Sequence, residues 1–274
     1  WEMAEKTKLT LFGTSAAYLQ AIMNAGCEPG SKFDLSNLRT ICSTGSPATD
    51  IVFEYVYSKI KPDVQFASIS GGTDLNGCFA LGCPILPVHL GELQCLGLGL
   101  DVAILDEDGK AVEDTKGELC CRKPFPSGPL FFWNDVENKR FHDAYFDHFK
   151  NTWRHGDFAK ITPRGGMIIY GRSDATLNAG GIRIGTADIY RVVDETIAEV
   201  RDSVIVGKQV GKIGGDEVKV VLFVLMAEGC ALTPKLKHLI RNRIRDACSA
   251  RHVPNVILTC PDIPYTISGK KVEL

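Results

Sequence analysis

The chain alternates short apolar runs with longer segments of helical periodicity, and this alternation limits the folds open to it. The runs and segments lie at residues 9–15, 15–26, 38–44, 48–60 and 63–70. Gly26 is placed to end the first helical segment, and Pro47 is placed to open the second. Strands that alternate with helices at this spacing predict parallel βαβ units, so we expect a parallel sheet in this part of the chain.

After Pro84 the pattern changes to short strands joined by turns, and a surface helix precedes a β-hairpin at residues 153–172. From Asp174 onward, two helical segments and three apolar strands predict a compact α+β unit of about 100 residues. We therefore assign the chain to the α/β class. Residues 1–173 are expected to form part of a large domain, and residues 174–274 a small one.

Composition excludes several classes of protein. The 274 residues carry 31 basic and 33 acidic side chains, a net charge of −2, which does not favour a nucleic-acid or anionic membrane partner. No apolar run reaches the roughly 20 residues that cross a bilayer. The ten cysteines form no CxxC pair, so we expect reduced thiols in a cytosolic compartment rather than a zinc site.

The first candidate loop, "CSTGSPATD", follows a predicted strand. Gly45, Ser46 and Pro47 offer backbone groups that suit a flat heterocycle. Loops at the carboxyl ends of strands in one open sheet face the crevice where α/β proteins bind ligands. Taken alone, the stretch is equally an ordinary serine-glycine turn.

The second candidate loop, "SISGGTDLNG", also follows a predicted strand and is expected at the same edge. Ser70, Gly71 and Gly72 let a ligand approach the backbone, while Thr73 and Asp74 supply a hydroxyl and a carboxylate that can bind a metal ion. A plain glycine turn is the alternative interpretation.

The hairpin and the C-terminal segment "IPYTISGKKVEL" carry three further candidates. Asp157 can accept both protons of a ribose diol, and Arg172 can hold a phosphate through a forked contact; the alternative is a surface ion pair between them. Lys270 lies on a Ser-Gly turn, where it either reaches a phosphate or is simply solvated. The absence of G-x-x-x-x-G-K-[ST] and of G-x-G-x-x-G after a strand excludes P-loop NTPases and dinucleotide-binding dehydrogenases.

Taken in order, the motifs of this chain resemble those of adenylate-forming acyl-CoA synthetases over essentially its whole length. The motifs are "STGSPAT", "SGGTD", "WRHGD…YGRSD", "GGIRIGTADIY" and "PYTISGKK". The block "GRSD…GGIRIGTADIY" is typical of the branch that activates acetate and acetoacetate. "FGTSAAYLQAIMNAG" and "ISGGTDLNGCFALGCPILPVHLGELQ" favour its acetoacetate-activating members.

The resemblance implies a cytosolic two-step ligase whose small-molecule substrates are ATP, acetoacetate and CoA, with Mg²⁺. Residues 1–173 would be the C-terminal part of the AMP-binding domain, and residues 174–274 a mobile domain with its hinge at Asp174. Lys270, Thr73 and Arg172 would be catalytic, and Asp74 would bind the metal ion. The nucleotide and CoA would contact Gly45, Ser46, Pro47, Ser70, Gly71, Gly72, Thr73, Asp157, Arg172, Gly181 and Arg183.

The sequence departs from the family pattern at three positions. Asp74 stands where relatives have a longer glutamate, and His155 replaces a threonine and is assigned only a packing or hydrogen-bonding role. Gly71 aligns with a tryptophan that closes the acyl pocket of acetate-activating relatives, which implies a pocket open to a longer acid.

The family's Ser/Thr/Gly-rich phosphate loop would lie upstream of Trp1, and family chains continue past Leu274. We therefore expect the chain to be a fragment of an acetoacetate–CoA ligase with little activity of its own. The alternatives are another short- or medium-chain acyl-CoA synthetase and a non-catalytic nucleotide-binding fragment.

Overall fold

The computed structural model divides the chain into two compact units, Trp1–Ile169 and Tyr170–Leu274. The structure describes residues 1–173, 177–179, 182–184, 186–209, 218–266 and 271–272. The assignment of the units to an AMP-binding domain and a mobile domain that meet at residue 174 stays a prediction. None of the helices in these described ranges is long and apolar enough to cross a membrane.

The first half of unit one combines short helices with short strands. Its elements are α1 (Glu2–Lys6), β1 (Leu11–Ser15), α2 (Ala16–Asn24), α3 (Pro29–Lys32), β2 (Thr40–Thr44), α4 (Asp50–Tyr55, continued by a π-helix at Val56–Ile60) and β3 (Gln65–Ser68). Strands β1, β2 and β3 form a parallel sheet in that order, with Ile41 paired to Phe12 on one side and to Phe66 on the other. The predicted βαβ arrangement is confirmed.

Local signals explain both ends of α2, whereas the start of α4 differs from the prediction. The Ser15 hydroxyl accepts a hydrogen bond from the Tyr18 N–H (3.1 Å) at the start of α2, and Gly26 follows its end at a φ of +66°. The prediction that Pro47 opens the next helix is wrong. That helix begins at Asp50 with Thr49 as N-cap, because the chain stays extended at Thr49 as it leaves the sheet edge.

The core of this half lies between the parallel sheet and its helices. Phe53 of α4 packs edge-on against Phe66 of β3, with ring centroids 4.6 Å apart, and Leu19 and Ile41 are fully buried beside them. Each such side chain contributes about 1.5–3 kcal/mol through burial of apolar surface. The packing therefore fixes the strand ends that carry the first two candidate loops.

The second half of unit one is mostly antiparallel. Its elements are β4 (Ser70–Gly72), β5 (Gly77–Leu81), β6 (Cys95–Leu96), β7 (Val102–Leu105), β8 (Gly117–Cys121), α5 (Lys139–Tyr145, after a 3₁₀ turn at Val136–Asn138), β9 (Trp153–Ile161) and β10 (Met167–Arg172). One sheet has the order β4-β5-β6, and another has the order β10-β9-β8-β7.

The hairpin of β9 and β10 closes where the sequence predicts it. The Thr162 N–H donates to the Gly166 carbonyl, the Gly165 N–H donates to the Thr162 carbonyl, both at 2.9 Å, and Gly165 has a φ of +82°. Arg164 in this turn forms an ion pair with the buried carboxylate of Glu92, which also accepts from the Thr162 hydroxyl at 3.2 Å. The turn is thus fixed from outside the hairpin.

Unit two is an α+β structure, as predicted. Its elements are β11 (Leu177–Ala179), β12 (Ile182–Ile184), α6 (Thr186–Thr196), β13 (Val200–Gln209), β14 (Val218–Met226), α7 (Pro234–Ala247), a 3₁₀ turn (Ala250–His252) and β15 (Val256–Thr259). Its main sheet has the order β13-β14-β15, and its core holds Ile189, Leu222, Ile240 and Ile257. Thr233 caps α7 as predicted, accepting from the Leu236 N–H at 3.2 Å.

Candidate nucleotide and acyl site

The first two candidate loops leave the same edge of the parallel sheet. Ser43 of β2 pairs with Ser68 of β3, and the Ile69 N–H donates to the Ser43 carbonyl at 2.9 Å. Gly45, at a φ of +89°, therefore follows β2 close to where the chain continues past β3. Gly45 is exposed, as are its two successors in the loop, so its backbone groups are open to a ligand. The prediction that both loops lie at one sheet edge is confirmed.

The glycines of the second loop occupy a strand rather than a loop. Ser70–Gly72 form β4, which pairs antiparallel with β5, and a register shift falls between Ser70 and Gly71. A Cβ at Gly71 would overlap the Gly77 carbonyl oxygen and lie 2.8 Å from the Cys78 Cα. The structure thus corrects the expected loop to a strand that pairs with β5. At Gly71 the backbone of β5 approaches too closely for any side chain.

This geometry gives a different reason for glycine at position 71. The direction of a Gly71 side chain is blocked by the neighbouring strand, so the glycine is required by strand packing in this backbone. The local structure lends no support to the interpretation that Gly71 opens the acyl pocket.

Thr73 and Asp74 lie on the four-residue turn between β4 and β5, and both are exposed. Leu75, fully buried, anchors the turn, and the Asn76 N–H donates to the Thr73 carbonyl at 3.2 Å. The hydroxyl and the carboxylate are thus presented outward from a hairpin whose base is fixed in the core.

Tyr145 at the end of α5 reaches the same turn. Its hydroxyl donates a hydrogen bond to Oδ2 of Asp74, and its ring stacks on Trp153 of β9 with centroids 3.5 Å apart and planes inclined by 13°. The stacking fixes the ring, and the ring fixes the hydroxyl that orients Asp74. Sequence reasoning missed Tyr145, because 71 residues separate it from Asp74 and no local motif marks the contact.

Asp157 lies on β9 beside His155. His155 Nε2 is 3.7 Å from Asp157 Oδ2, and the two side chains are only 8% and 15% exposed. The imidazole packs edge-on against Phe79 at 4.9 Å, and a Cβ at Gly72 would lie 3.2 Å from its Cε1. His155 therefore lies next to both the Asp157 carboxylate and Gly72, which places the ribose candidate near the strand that carries the second candidate loop.

Cysteines near this region do not provide a nucleophile. Burial raises the pKa of the thiols of Cys42 on β2 and Cys78 on β5, so both stay protonated at neutral pH. The other polar groups described in this region include the Thr73 hydroxyl, the carboxylates of Asp74 and Asp157, and the His155 imidazole. These groups can contact a ligand through hydrogen bonds and charge.

The C-terminal candidate segment, "IPYTISGKKVEL", belongs to unit two. Tyr265 and Lys271 pair as an antiparallel bridge, and the Val272 N–H donates to the Pro264 carbonyl at 3.0 Å. The backbone at Tyr265 and at Lys271 is therefore paired. Lys270 lies outside the described residues.

Comparison with known proteins gives matches that extend over the whole length of this chain. The chain is 51% identical over 274 residues to acetoacetyl-coenzyme A synthetase of Rhizobium meliloti (strain 1021) and 45% identical over 275 residues to that of Xenopus tropicalis. Among solved structures, acetoacetyl-CoA synthetase from Streptomyces lividans superimposes with a TM-score of 0.89 at 43% identity, over 99% of this chain. No protein-family model matches the chain.

Over its whole length the chain is similar to acetoacetyl-CoA synthetases. It spans 41% of the Rhizobium protein, 40% of the Xenopus protein and 41% of the Streptomyces chain, while being matched over 99–100% of its own length. The expected resemblance to acyl-CoA synthetases and the α/β fold are confirmed, and the chain corresponds to only part of the synthetases that it matches.

Within this synthetase fold, several assigned positions are not placed. Asp174 and Gly181 lie outside the described residues, as Lys270 does, and Arg183 falls in β12, where only the backbone is described. Arg172 is the exposed last residue of β10 and belongs to unit two. Their roles at the hinge, the nucleotide and CoA stay predictions.

The Asp74 position suits the metal ion that the synthetase fold implies. Among the described residues, no group of three or more His, Cys, Asp or Glu side chains is arranged to hold a metal ion. Mg²⁺ in nucleotide sites takes one or two carboxylates and completes its shell with water and phosphate oxygens. A single exposed carboxylate held by Tyr145 fits that mode of binding.

Proposed function

We propose that the full-length protein containing this chain is an acetoacetate–CoA ligase. It converts ATP, acetoacetate and CoA into acetoacetyl-CoA, AMP and pyrophosphate through an acyl-adenylate. The observation that carries the proposal is 51% identity, over all 274 residues, to a protein named acetoacetyl-coenzyme A synthetase. The grouping of Asp74, Asp157 and the Gly45 loop in unit one supports it.

In this proposal the nucleotide lies against unit one. Adenine borders the exposed Gly45, Ser46 and Pro47 on one side and Ser70–Gly72 on the other. The Asp157 carboxylate accepts hydrogen bonds from the ribose hydroxyls, a charge-assisted contact that its low exposure beside His155 strengthens.

The first chemical step joins the acid to the nucleotide. A carboxylate oxygen of acetoacetate attacks the α-phosphorus, and the bond to the pyrophosphate oxygen breaks. Thr73 and Arg172 contact the phosphate oxygens, and the Lys270 ammonium stabilises the negative charge that gathers there. When bound through Asp74, Mg²⁺ neutralises phosphate charge.

The second step releases AMP. The CoA thiol loses its proton, and its sulfur attacks the acyl carbon and displaces the AMP oxygen. Unit two turns about Asp174 between the steps, so that Gly181 and Arg183 come to face CoA. The full-length relatives are more than twice as long as this chain. We therefore propose that the isolated 274 residues do not complete either step.

We also propose that the protein is cytosolic and acts on small molecules alone. All ten cysteines are free, which fits a reducing compartment.

The test is acetoacetate-dependent release of pyrophosphate from ATP by the full-length protein, compared with acetate, propionate and hexanoate. We expect acetoacetate to give the highest kcat/KM. Lys270→Ala should lower the adenylation rate about 10²- to 10³-fold, whereas Lys235→Ala, an exposed lysine on α7, should not. A preference for another acid would refute the substrate, and full activity of Lys270→Ala would refute the mechanism.

A further inference from the structure

Lys271 is held by three oxygen atoms inside unit two. Its Nζ lies 2.6 Å from Asp194 Oδ2, 2.7 Å from Asp202 Oδ1 and 2.7 Å from the Ser203 carbonyl oxygen. The Lys271 and Asp202 side chains are each 18% exposed, and that of Asp194 is 22% exposed. An ammonium group has three N–H donors, so this set of acceptors uses all of them.

A second layer of contacts holds those acceptors in place. The Ser203 hydroxyl donates to Asp194 Oδ1 at 2.5 Å, and the Tyr265 hydroxyl donates to Asp202 Oδ2 at 2.6 Å. The Lys271 ammonium also lies 4.1 Å from the centre of the Tyr190 ring, whose hydroxyl accepts from the Ile205 N–H at 3.1 Å. The lysine therefore occupies a preformed position on α6 and β13.

Burial changes the pKa of two groups in this cluster, Asp194 and Tyr265. It raises the pKa of Asp194, and the Lys271 ammonium opposes that change. Burial, together with the Asp202 carboxylate, also raises the pKa of Tyr265, which keeps its hydroxyl protonated as a donor.

Asp202 contacts both residues of the bridge between Tyr265 and Lys271. Its Oδ2 accepts from the Tyr265 hydroxyl, and its Oδ1 binds Lys271. Lys270 is the covalent neighbour of Lys271. The side chains that fix Lys271 thus hold the residue that directly follows Lys270 in the sequence.

We propose that Lys271 is a positioning residue for adenylation, because its contacts fix the residue next to Lys270, the lysine proposed to act on the reacting phosphate and carboxylate. This inference rests on the proposed function. The two lysines of "SGKK" then have separate tasks: one acts on the substrate, and the other, occupied by Asp194 and Asp202, does not reach it.

Buried ion pairs add little net stability compared with apolar residues of the same size, so stability alone is a weak reason for this cluster. Misplacement of a catalytic group by about 1 Å, by contrast, lowers a rate about 10²-fold. A positioning role predicts a loss confined to the step in which Lys270 acts.

The experiment uses the full-length protein and measures its two half-reactions separately. Adenylation is followed by acetoacetate-dependent pyrophosphate release at saturating substrates, and thioester formation by the reaction of preformed acetoacetyl-adenylate with CoA. The variants are Lys271→Met, Lys270→Ala and the double variant, with Lys235→Met on exposed α7 as the matched control.

We expect Lys271→Met to lower the adenylation kcat about ten- to a hundredfold and to leave thioester formation within about twofold. In the Lys270→Ala background, Lys271→Met should cause no further loss, because the lysine it positions is gone. Equal losses in both half-reactions, additive losses in the double variant, or unchanged adenylation would each overturn the proposal.

If Lys271→Met does not fold, Tyr265→Phe decides the question by the same criteria. It removes one contact to Asp202 and keeps the ring, so adenylation alone should fall, by about three- to tenfold. A wild-type protein that adenylates none of the acids tested would refute the proposed function, and the role of Lys271 with it. Wild-type activity combined with an unaffected Lys271→Met refutes only the role of Lys271.

Discussion

His155 lies beside Asp157 on strand β9, with Nε2 3.7 Å from Oδ2, and its ring also lies next to Gly72 of β4. The imidazole is buried and is held edge-on by Phe79. It is therefore placed to limit the rotamers of Asp157, the proposed ribose ligand, without touching the reacting atoms.

We predict that His155→Ala raises the KM for ATP about three- to tenfold and leaves kcat unchanged, because it loosens one ligand contact of ordinary strength. Asp157→Asn should raise the KM further, since it removes the charge that binds the ribose. Steady-state kinetics of the full-length protein measure both, with the exposed His238→Ala as the control. A fall in kcat with unchanged KM would assign His155 a different role.

Tyr145 and Asp74 give a second prediction, about the metal ion. Tyr145→Phe keeps the ring that stacks on Trp153 and removes the hydroxyl that donates to Asp74. The carboxylate loses its orientation, so we expect half-maximal pyrophosphate release to need about two- to fivefold more Mg²⁺. Thermal stability should change little.

The control for this titration is Tyr18→Phe, an exposed tyrosine on α2. Tighter Mg²⁺ binding by Tyr145→Phe would mean that the hydroxyl competes with the metal ion for Asp74 instead of orienting it.

The parts of the fold that depend on local signals follow from the sequence. The parallel strands follow from the alternation of strand and helix, and the ends of α2 and α7 follow from Ser15, Gly26 and Thr233. The common edge for Gly45 and Ser70 then follows from parallel pairing alone.

The parts that depend on distant contacts do not follow from it. From the sequence, Gly71 is read as a loop glycine, and only the structure shows the close approach of the β5 backbone. Arg164 bonds to Glu92, which lies 72 residues earlier in the chain. Lys270 and Lys271 are chemically identical in "SGKK", and only the positions of Asp194 and Asp202 distinguish them.

A third prediction concerns Gly71. Gly71→Ala should destabilise the protein by about 1–3 kcal/mol or more, because the added methyl group overlaps the backbone of β5. Gly13→Ala is the matched control: Gly13 also lies in a strand, and no atom lies within 4 Å of a Cβ there. Thermal unfolding of both variants measures the difference. If Gly71→Ala is as stable as Gly13→Ala and changes acid preference instead, position 71 does line the acyl pocket.

The last prediction is a decline in stability at alkaline pH that depends on Cys120. Burial, and secondarily the Glu118 carboxylate, raises the pKa of the Cys120 thiol from 9.0 to about 12. The folded protein therefore keeps a proton that the unfolded chain releases near pH 9. The stabilisation is complete below pH 9 and is lost as the pH rises from 9 towards 12.

Thermal midpoints measured between pH 8 and 11 test this, with variants that remove a buried or an exposed thiol. Cys120→Ala is expected to have a lower midpoint at pH 8, because it leaves a small cavity beside Ala103, Leu105 and Phe149, but a shallower decline above pH 9. Cys230→Ala should decline as steeply as the wild type, since Cys230 is exposed. Tyr55, whose pKa burial also raises to about 12, maintains part of the decline in every variant. Identical slopes for Cys120→Ala and the wild type would show that the buried thiol is not linked to folding in this range.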